Sequence, residues 1–321
     1  MTLRVLRGAA AAVMTLAATA AAAQSWPAKS VRIIVPFGTG GGTDIQGRLL
    51  GKKFFESMGQ TFVVDNRAGA GGMLGAELAA KSPPDGYTLL FTTASLAVGP
   101  SLYKKLGFDP VRDLAPVSWV SSVPLVLAIH PSVPAKSVKD LVALAKARKG
   151  QMNAASNGSG TTSHLTLELL KQTAGIQVAH IPYKGGGPAT TAVLSGEVDF
   201  VFTTILSVYP QVKAGRLRAL AVTTAKRSGV APELPTMGET FKGFEMDNWY
   251  AMFVPAGTPP EIAQRLHAEI LKAMKSQEVL DYMTRDGADP VASSPAELAA
   301  YLKREIDKYA RIIKAGGIQP E

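Results

Sequence analysis

Beyond its first 23 residues this chain alternates short β-branched runs with helical stretches to its end, and no other feature restricts its possible folds as much. Val31 to Val35 is one such run, and Asp44 to Met58 follows with Ile45, Leu49, Phe54, Phe55 and Met58 near helical spacing. Phe62 to Val64 reads as the next strand, and Gly75 to Lys81 as a helix that stops at the turn cluster Ser82-Pro83-Pro84-Asp85-Gly86. Further strands are expected at Tyr87 to Thr92, Val117 to Ser121, Leu125 to Ile129, Asn153 to Ser156, Val198 to Thr203, Leu217 to Thr223 and Ala251 to Val254. Alternation of this kind places the chain in the α/β class, with mostly parallel sheets flanked by helices.

A length of roughly 300 residues after the first segment is long for one core and comfortable for two. Pro124 to Pro131 and Trp249 to Pro260 are apolar extended runs bounded by prolines, the expected form of crossings between lobes. One lobe is then residues 24–123 with 250–321, the other residues 124–249, and the crossings form a hinge. Helix starts are marked by Ser137 with Asp140, Thr258 with Glu261 and Ser294 with Glu297, each spaced as a capping box. Pro259 and Pro295 suit a first helical turn, and Gly196 and Gly316 follow helical runs as terminators.

Residues 1–23 carry Arg4 and Arg7 ahead of an uncharged run, Gly8 to Ala23, that closes on Ala21-Ala22-Ala23. This is the pattern of a cleaved signal peptide, so the mature protein is expected to be periplasmic. The run is at the short end for a bilayer span, and the chain holds no cysteine to carry a lipid, form a disulfide or bind a metal. Net charge is +9, which draws anions from a distance. Lys and Arg are scattered without aromatic interleaving, so nucleic acid is not expected as a partner.

Two glycine-rich loops are candidates for binding. The first, Val35-Pro36-Phe37-Gly38-Thr39-Gly40-Gly41-Gly42-Thr43-Asp44, joins a strand to a helix and lets backbone N–H groups approach an anion. The second, Ala155-Ser156-Asn157-Gly158-Ser159-Gly160-Thr161-Thr162-Ser163-His164, has the same character in the middle of the chain. A handful of charge-assisted bonds at roughly 1.5–3 kcal/mol each reaches micromolar affinity, about −8 kcal/mol. The first loop alone is equally readable as a tight turn, with Thr43 or Asp44 merely capping, and the second as a flexible turn. Two such loops, one on each lobe, are what a binding cleft needs, and together they favour the binding reading. A dinucleotide site is the competitor, because Asp65 ends the second strand, but G-x-G-x-x-G fails at Thr43 and at Leu74. No nucleophile elbow, phosphate loop or H-E-x-x-H occurs, and His130, His164, His180 and His267 show no ligand spacing. No cofactor, metal or catalytic residue is therefore expected.

Six ordered motifs resemble those of one family: Pro36-Phe37 with Gly41-Gly42, Asp44 and Arg48; Asn66-Arg67-Ala68-Gly69-Ala70-Gly71-Gly72 then Gly75; Pro83 to Leu90; Gly158 to Thr161 with His164-Leu165; Pro182-Tyr183-Lys184-Gly185; and Gly196-Glu197-Val198-Asp199. That family is the periplasmic receptors of tripartite tricarboxylate transporters, the Bug receptors. The resemblance implies a two-lobed periplasmic-binding-protein (Venus flytrap) fold that binds a carboxylate without chemistry and delivers it, as a monomer, to membrane subunits of a transporter. Ligand contacts implied in the first lobe are Phe37, Gly38, Thr39, Gly41, Gly42, Asp44 and Ser95. In the second they are Ser156, Gly158, Ser159, Gly160, Thr161, His164, Tyr183, Lys184, Gly185, Asp199, Thr203 and Thr204. Ala68 departs from a common proline, and Gly40 enriches the first loop. Asp44 suits an amine on the ligand or an ordered water. A receptor feeding a sensor and an exported α/β enzyme are the other readings.

Overall fold

The computed structural model describes residues 26–40 and 42–319, with the backbone alone for Asp286. The expected signal peptide and Gly41 lie outside the described residues. Among the described residues eleven strands form two sheets. In the first, β1 (Val31–Val35) pairs in parallel with β2 (Phe62–Asn66) and β3 (Thr88–Thr93). In the second, β6 (Asn153–Ser156) pairs in parallel with β7 (Ala179–Pro182) and β8 (Phe200–Thr204).

Both sheets are mixed rather than mostly parallel. β10 (Tyr250–Pro255) lies between β3 and β4 (Leu114–Ser122), antiparallel to both, and the two-residue β11 (Asp289–Pro290) extends the β4 edge. β5 (Leu125–Ile129) lies between β8 and β9 (Arg218–Val222), again antiparallel to both. β5 and β10 are each the first strand after the chain passes from one sheet to the other. A strand arriving from across the gap runs against the strands already there, and an antiparallel pair needs no crossover helix.

Helices cover the sheets in sequence order: α1 (Gly42–Met58), α2 (Met73–Ala80), α3 (Ser95–Leu102), α4 (Val138–Arg148), α5 (Thr162–Ala174), α6 (Gly186–Leu194), α7 (Ile205–Lys213), α8 (Pro260–Ala273), α9 (Gln277–Asp286) and α10 (Pro295–Ala315). Each buries a stripe at helical spacing, as Ile262, Leu266 and Ile270 do on α8. α10 buries Leu298, Tyr301, Leu302, Tyr309 and Ile312 and lies against both halves of the molecule. Tyr301 stacks on Trp119 of the first sheet at 4.0 Å, while Gln172 Nε2 on α5 donates to the Ile312 carbonyl at 3.0 Å.

Of the three capped starts expected from sequence, two form and one does not. Ser137 accepts from the Asp140 N–H, and Ser294 with Glu297 forms a complete capping box. Thr258 does not cap α8: its hydroxyl donates to the Pro255 carbonyl at 2.7 Å, and Pro259 holds the cap position. Two successive prolines fix that entry, leaving no role for a Thr258–Glu261 pair. Replacing Ser294 with alanine is expected to destabilise the protein by about 1 kcal/mol, a fall in Tm of roughly 1.5–2 °C by calorimetry. A change under about 0.5 °C would mean that the packing of α10 holds its first turn without the cap.

The two crossings are tied to each other. Pro124 pairs with Asp247 in an antiparallel bridge, and the Asn248 N–H donates to the Val123 carbonyl at 3.2 Å. The Asp247 carboxylate accepts from the Ser122 hydroxyl at 2.6 Å and from the Val123 N–H at 3.0 Å. Among the described residues no helix is long and apolar enough to cross a membrane.

Candidate ligand-binding site

A cavity of about 620 Å³ opens between the two sheets at the ends of their parallel strands. Five helix starts meet there: Gly42 and Thr43 of α1, Ser95 of α3, Thr162 and Ser163 of α5, Gly186 of α6, and Leu206 and Ser207 of α7. The first turn of any α-helix holds N–H groups without partners inside the helix and carries the positive end of its dipole. Two of these starts come from the first sheet and three from the second, so positive helix ends border the cavity from both sides, chemistry that suits an anion.

The second sheet's loops are locked by their own bonds. The Gly158 carbonyl accepts from the Thr161 hydroxyl at 2.7 Å, and the Gly185 N–H donates to the Asn157 carbonyl at 3.0 Å. Gly158 (φ 136°) and Gly160 (φ 71°) adopt backbone angles that a side chain disfavours. A Cβ on Gly160 would stand 2.4 Å from Leu102 Cδ2 of the first half, so the two halves touch at the cavity. Asn157 Oδ1 at its second-sheet wall and Thr203 Oγ1 behind that wall are buried without a hydrogen-bond partner.

On the first side the loop is organised by Asp44. Its carboxylate accepts from the Gly40 N–H at 2.9 Å and pairs with Arg48 at 2.9 Å. Burial pushes this carboxyl up, but Arg48, the Gly40 N–H and Asn66 outweigh burial and hold it below the usual range. Asp44 is therefore engaged in holding the loop and does not line the cavity. Among the described residues the lining holds no Asp, Glu, Lys, Arg or His.

Of the residues singled out from sequence, Phe37, Gly42, Ser95, Ser159, Gly160, Thr161, Gly185 and Thr204 line the cavity together. Ser95 opens α3 rather than sitting in a loop. Gly38 and Thr39 are exposed on the outer part of their loop, and Lys184 is also exposed. Ser156, Gly158, His164 and Thr203 stand behind the wall. Ser156 Oγ lies 2.6 Å from His180 Nε2, and the Gly160 N–H donates to His164 Nδ1 at 3.1 Å. His164 stacks on His180 at 3.9 Å, and burial, then the neighbouring His164, pushes His180 down to about 4. Tyr183 donates to Glu197 at 2.7 Å, and burial with that carboxylate pushes its hydroxyl up to about 12. Asp199 lies just before β8, at the opposite end of that strand from the cavity, where it pairs with Arg148 at 3.3 Å and accepts from the Asn153 N–H at 2.8 Å.

Several lining residues carried no sequence signal. Val98, Leu102 and Tyr103 belong to or follow α3, whose Gly99 and Pro100 disguise it as a loop. Asn248 and Tyr250 come from the second crossing, and Leu206 and Ser207 from the start of α7. Among the described residues no group of three His, Cys, Asp or Glu is placed to hold a metal ion.

The model of the family described as "Tripartite tricarboxylate transporter family receptor" matches residues 47–318. The chain is 39% identical to Protein BugT of Bordetella pertussis over 298 residues, 92% of this chain and 91% of that one. An R. palustris protein solved with adipate superposes with a TM-score of 0.81 at 34% identity, over 92% of this chain and all of that one. MatC from Rhodopseudomonas palustris with bound malate superposes at 0.76 and 29% identity, over 90% and 100% of the two chains.

Proposed function

This chain belongs to the tripartite tricarboxylate transporter receptor family, and from that premise we propose that it is a periplasmic receptor that binds an organic carboxylate in the cavity between its sheets. The observation that carries the reading is the convergence of five helix starts, from both sheets, on one cavity without charged side chains. Relatives solved with adipate and with malate support a carboxylate as the guest. The anion docks against the N–H groups and hydroxyls of one half, and the other half closes over it. Exclusion of water then strengthens each bond.

Residues 24–123 with 250–321 are proposed to move as one body and residues 124–249 as the other, about the Asp247 clasp. Phe37, Gly42, Ser95, Ser159, Gly160, Thr161, Gly185 and Thr204 are proposed to touch the ligand. The closed monomer, exported by residues 1–23, is then recognised by the membrane subunits of a transporter, and no bond in the ligand is broken. A thermal-shift and calorimetric screen of organic acids tests this. At least one carboxylate is expected to raise Tm with ligand concentration, by about 2.7 kcal/mol of stabilisation at 100 times Kd. Ligand recovered unchanged fits a receptor; conversion to product, or silence across all carboxylates, overturns the proposal.

A further inference from the structure

The two walls of the cavity differ in chemistry. Along α3 the residues Ser95, Val98, Gly99 and Leu102 follow one another at i, i+3, i+4 and i+7, a single face about 10 Å long at 1.5 Å per residue. Only its first residue is polar. On the second-sheet side Leu206 lines the same cavity, 46% exposed at the first turn of α7, although the Thr204 and Ser207 hydroxyls flank it. A large aliphatic side chain left open at a helix start lined otherwise by hydroxyls is a contact surface for something apolar.

Charge narrows the guest further. Five helix starts make the local potential positive, which favours a carboxylate and opposes an ammonium group. Asp44, the acid of the first loop, is already engaged with the Gly40 N–H and Arg48 and does not line the cavity. A second or third carboxylate placed along the α3 face would be desolvated beside Val98 and Leu102 with no cation to compensate. The unpartnered hydroxyl of Thr203, fully buried, stands 2.8 Å from where a Cβ on Gly186 would sit, which marks the α6 start as a place where a polar group is still to be satisfied.

We propose that the ligand is a carboxylic acid with an uncharged, apolar body, its carboxylate at the helix starts and its body between the α3 face and Leu206, so that α-amino acids and tricarboxylates bind poorly. The inference rests on the carboxylate reading above and names the class of acid that this site accepts. Calorimetry on the mature protein with butanoate, hexanoate and octanoate is expected to show affinity rising about fourfold per added methylene. 2-Aminohexanoate and citrate are expected to bind at least tenfold more weakly than hexanoate. In Leu206→Ala, whose side chain is half exposed and carries little of the core, the gain per methylene is expected to fall below twofold.

A flat chain-length series, an unchanged series in Leu206→Ala, or 2-aminohexanoate or citrate binding as tightly as hexanoate overturns the apolar-body proposal while leaving the carboxylate reading intact. Failure of every acid, adipate and malate included, removes both.

Discussion

Gly186→Val is expected to weaken binding of the tightest acid in the panel at least 100-fold while the protein stays folded. Gly186 opens α6 and lines the cavity, and its φ is not among the left-handed ones, so the backbone accepts a side chain. Space does not: a Cβ there would stand 2.6 Å from Ser207 Oγ and 2.8 Å from Thr203 Oγ1. Thr203 sits on a buried strand and cannot swing away, so the valine wedges the starts of α6 and α7 apart and fills the corner where their N–H groups meet. Losing two charge-assisted bonds at roughly 1.5–3 kcal/mol each exceeds the 2.7 kcal/mol that a 100-fold change represents. Overpacking is expected to lower Tm by a few degrees, which circular dichroism separates from unfolding. Affinity within threefold of wild type in a folded variant would place the anion away from the α6 start.

The second large effect concerns the paired crossings. Asp247 is buried where the two crossings meet, and burial, with the nearby Glu305 carboxylate, pushes its carboxyl up to about 7 against the opposing bonds from Ser122 and Val123. Glu305 is itself buried and paired with Lys308 at 2.6 Å, and Tyr301 and Tyr309 of α10 face the same cluster. A carboxyl held near 7 in the folded chain and near 3.8 in the unfolded one binds a proton in the folded state alone across that interval. Its contribution to stability is thus fully present below about pH 4 and is lost as pH rises through 7, on the order of 4 kcal/mol in all.

Asp247→Asn mimics the protonated form and keeps an acceptor for the Val123 N–H, so it removes this slope. Relative to that variant, wild type is expected to lose roughly 4 °C of Tm between pH 5 and pH 8. Exposed carboxylates held low by arginine or lysine, such as Glu239 and Glu278, tilt stability the other way as pH falls. They are common to both proteins and cancel in the difference. Parallel Tm curves for the two would show that Asp247 titrates as an ordinary carboxylate.

Local sequence specified much of the backbone. The runs at 31–35, 125–129 and 153–156 are strands with the bounds that composition assigns them, because β-branched and small apolar residues end there at glycine, proline or polar turns. α3 was hidden, since Gly99 and Pro100 lower helix propensity and only packing against α10 and α2 sustains it. β7 was hidden too: its Ala-His-Ile-Pro is short and mostly unburied, and pairing with β6 is what makes it a strand.

The same division runs through the site. Both glycine loops were legible, because glycine, serine and threonine between a strand and a helix describe a backbone turn wherever it lies. Which side chains reach the cavity was not. His164 and Asp44 sit within those loops yet turn inward to hold the Gly160 and Gly40 N–H groups, while Leu102 and Leu206, more than 100 positions apart, line the same cavity from its two halves.

What the sequence determined by itself was therefore the alternation of elements, the helix starts at Ser137 and Ser294, and the presence of two backbone loops suited to an anion. Tertiary structure alone decided that β5 and β10 reverse direction, that Asp247 clasps both crossings, and that an apolar wall completes the cavity. Periodicity and turn chemistry are properties of neighbouring residues, whereas the reversal, the clasp and the wall each depend on segments that only folding brings within a few ångströms.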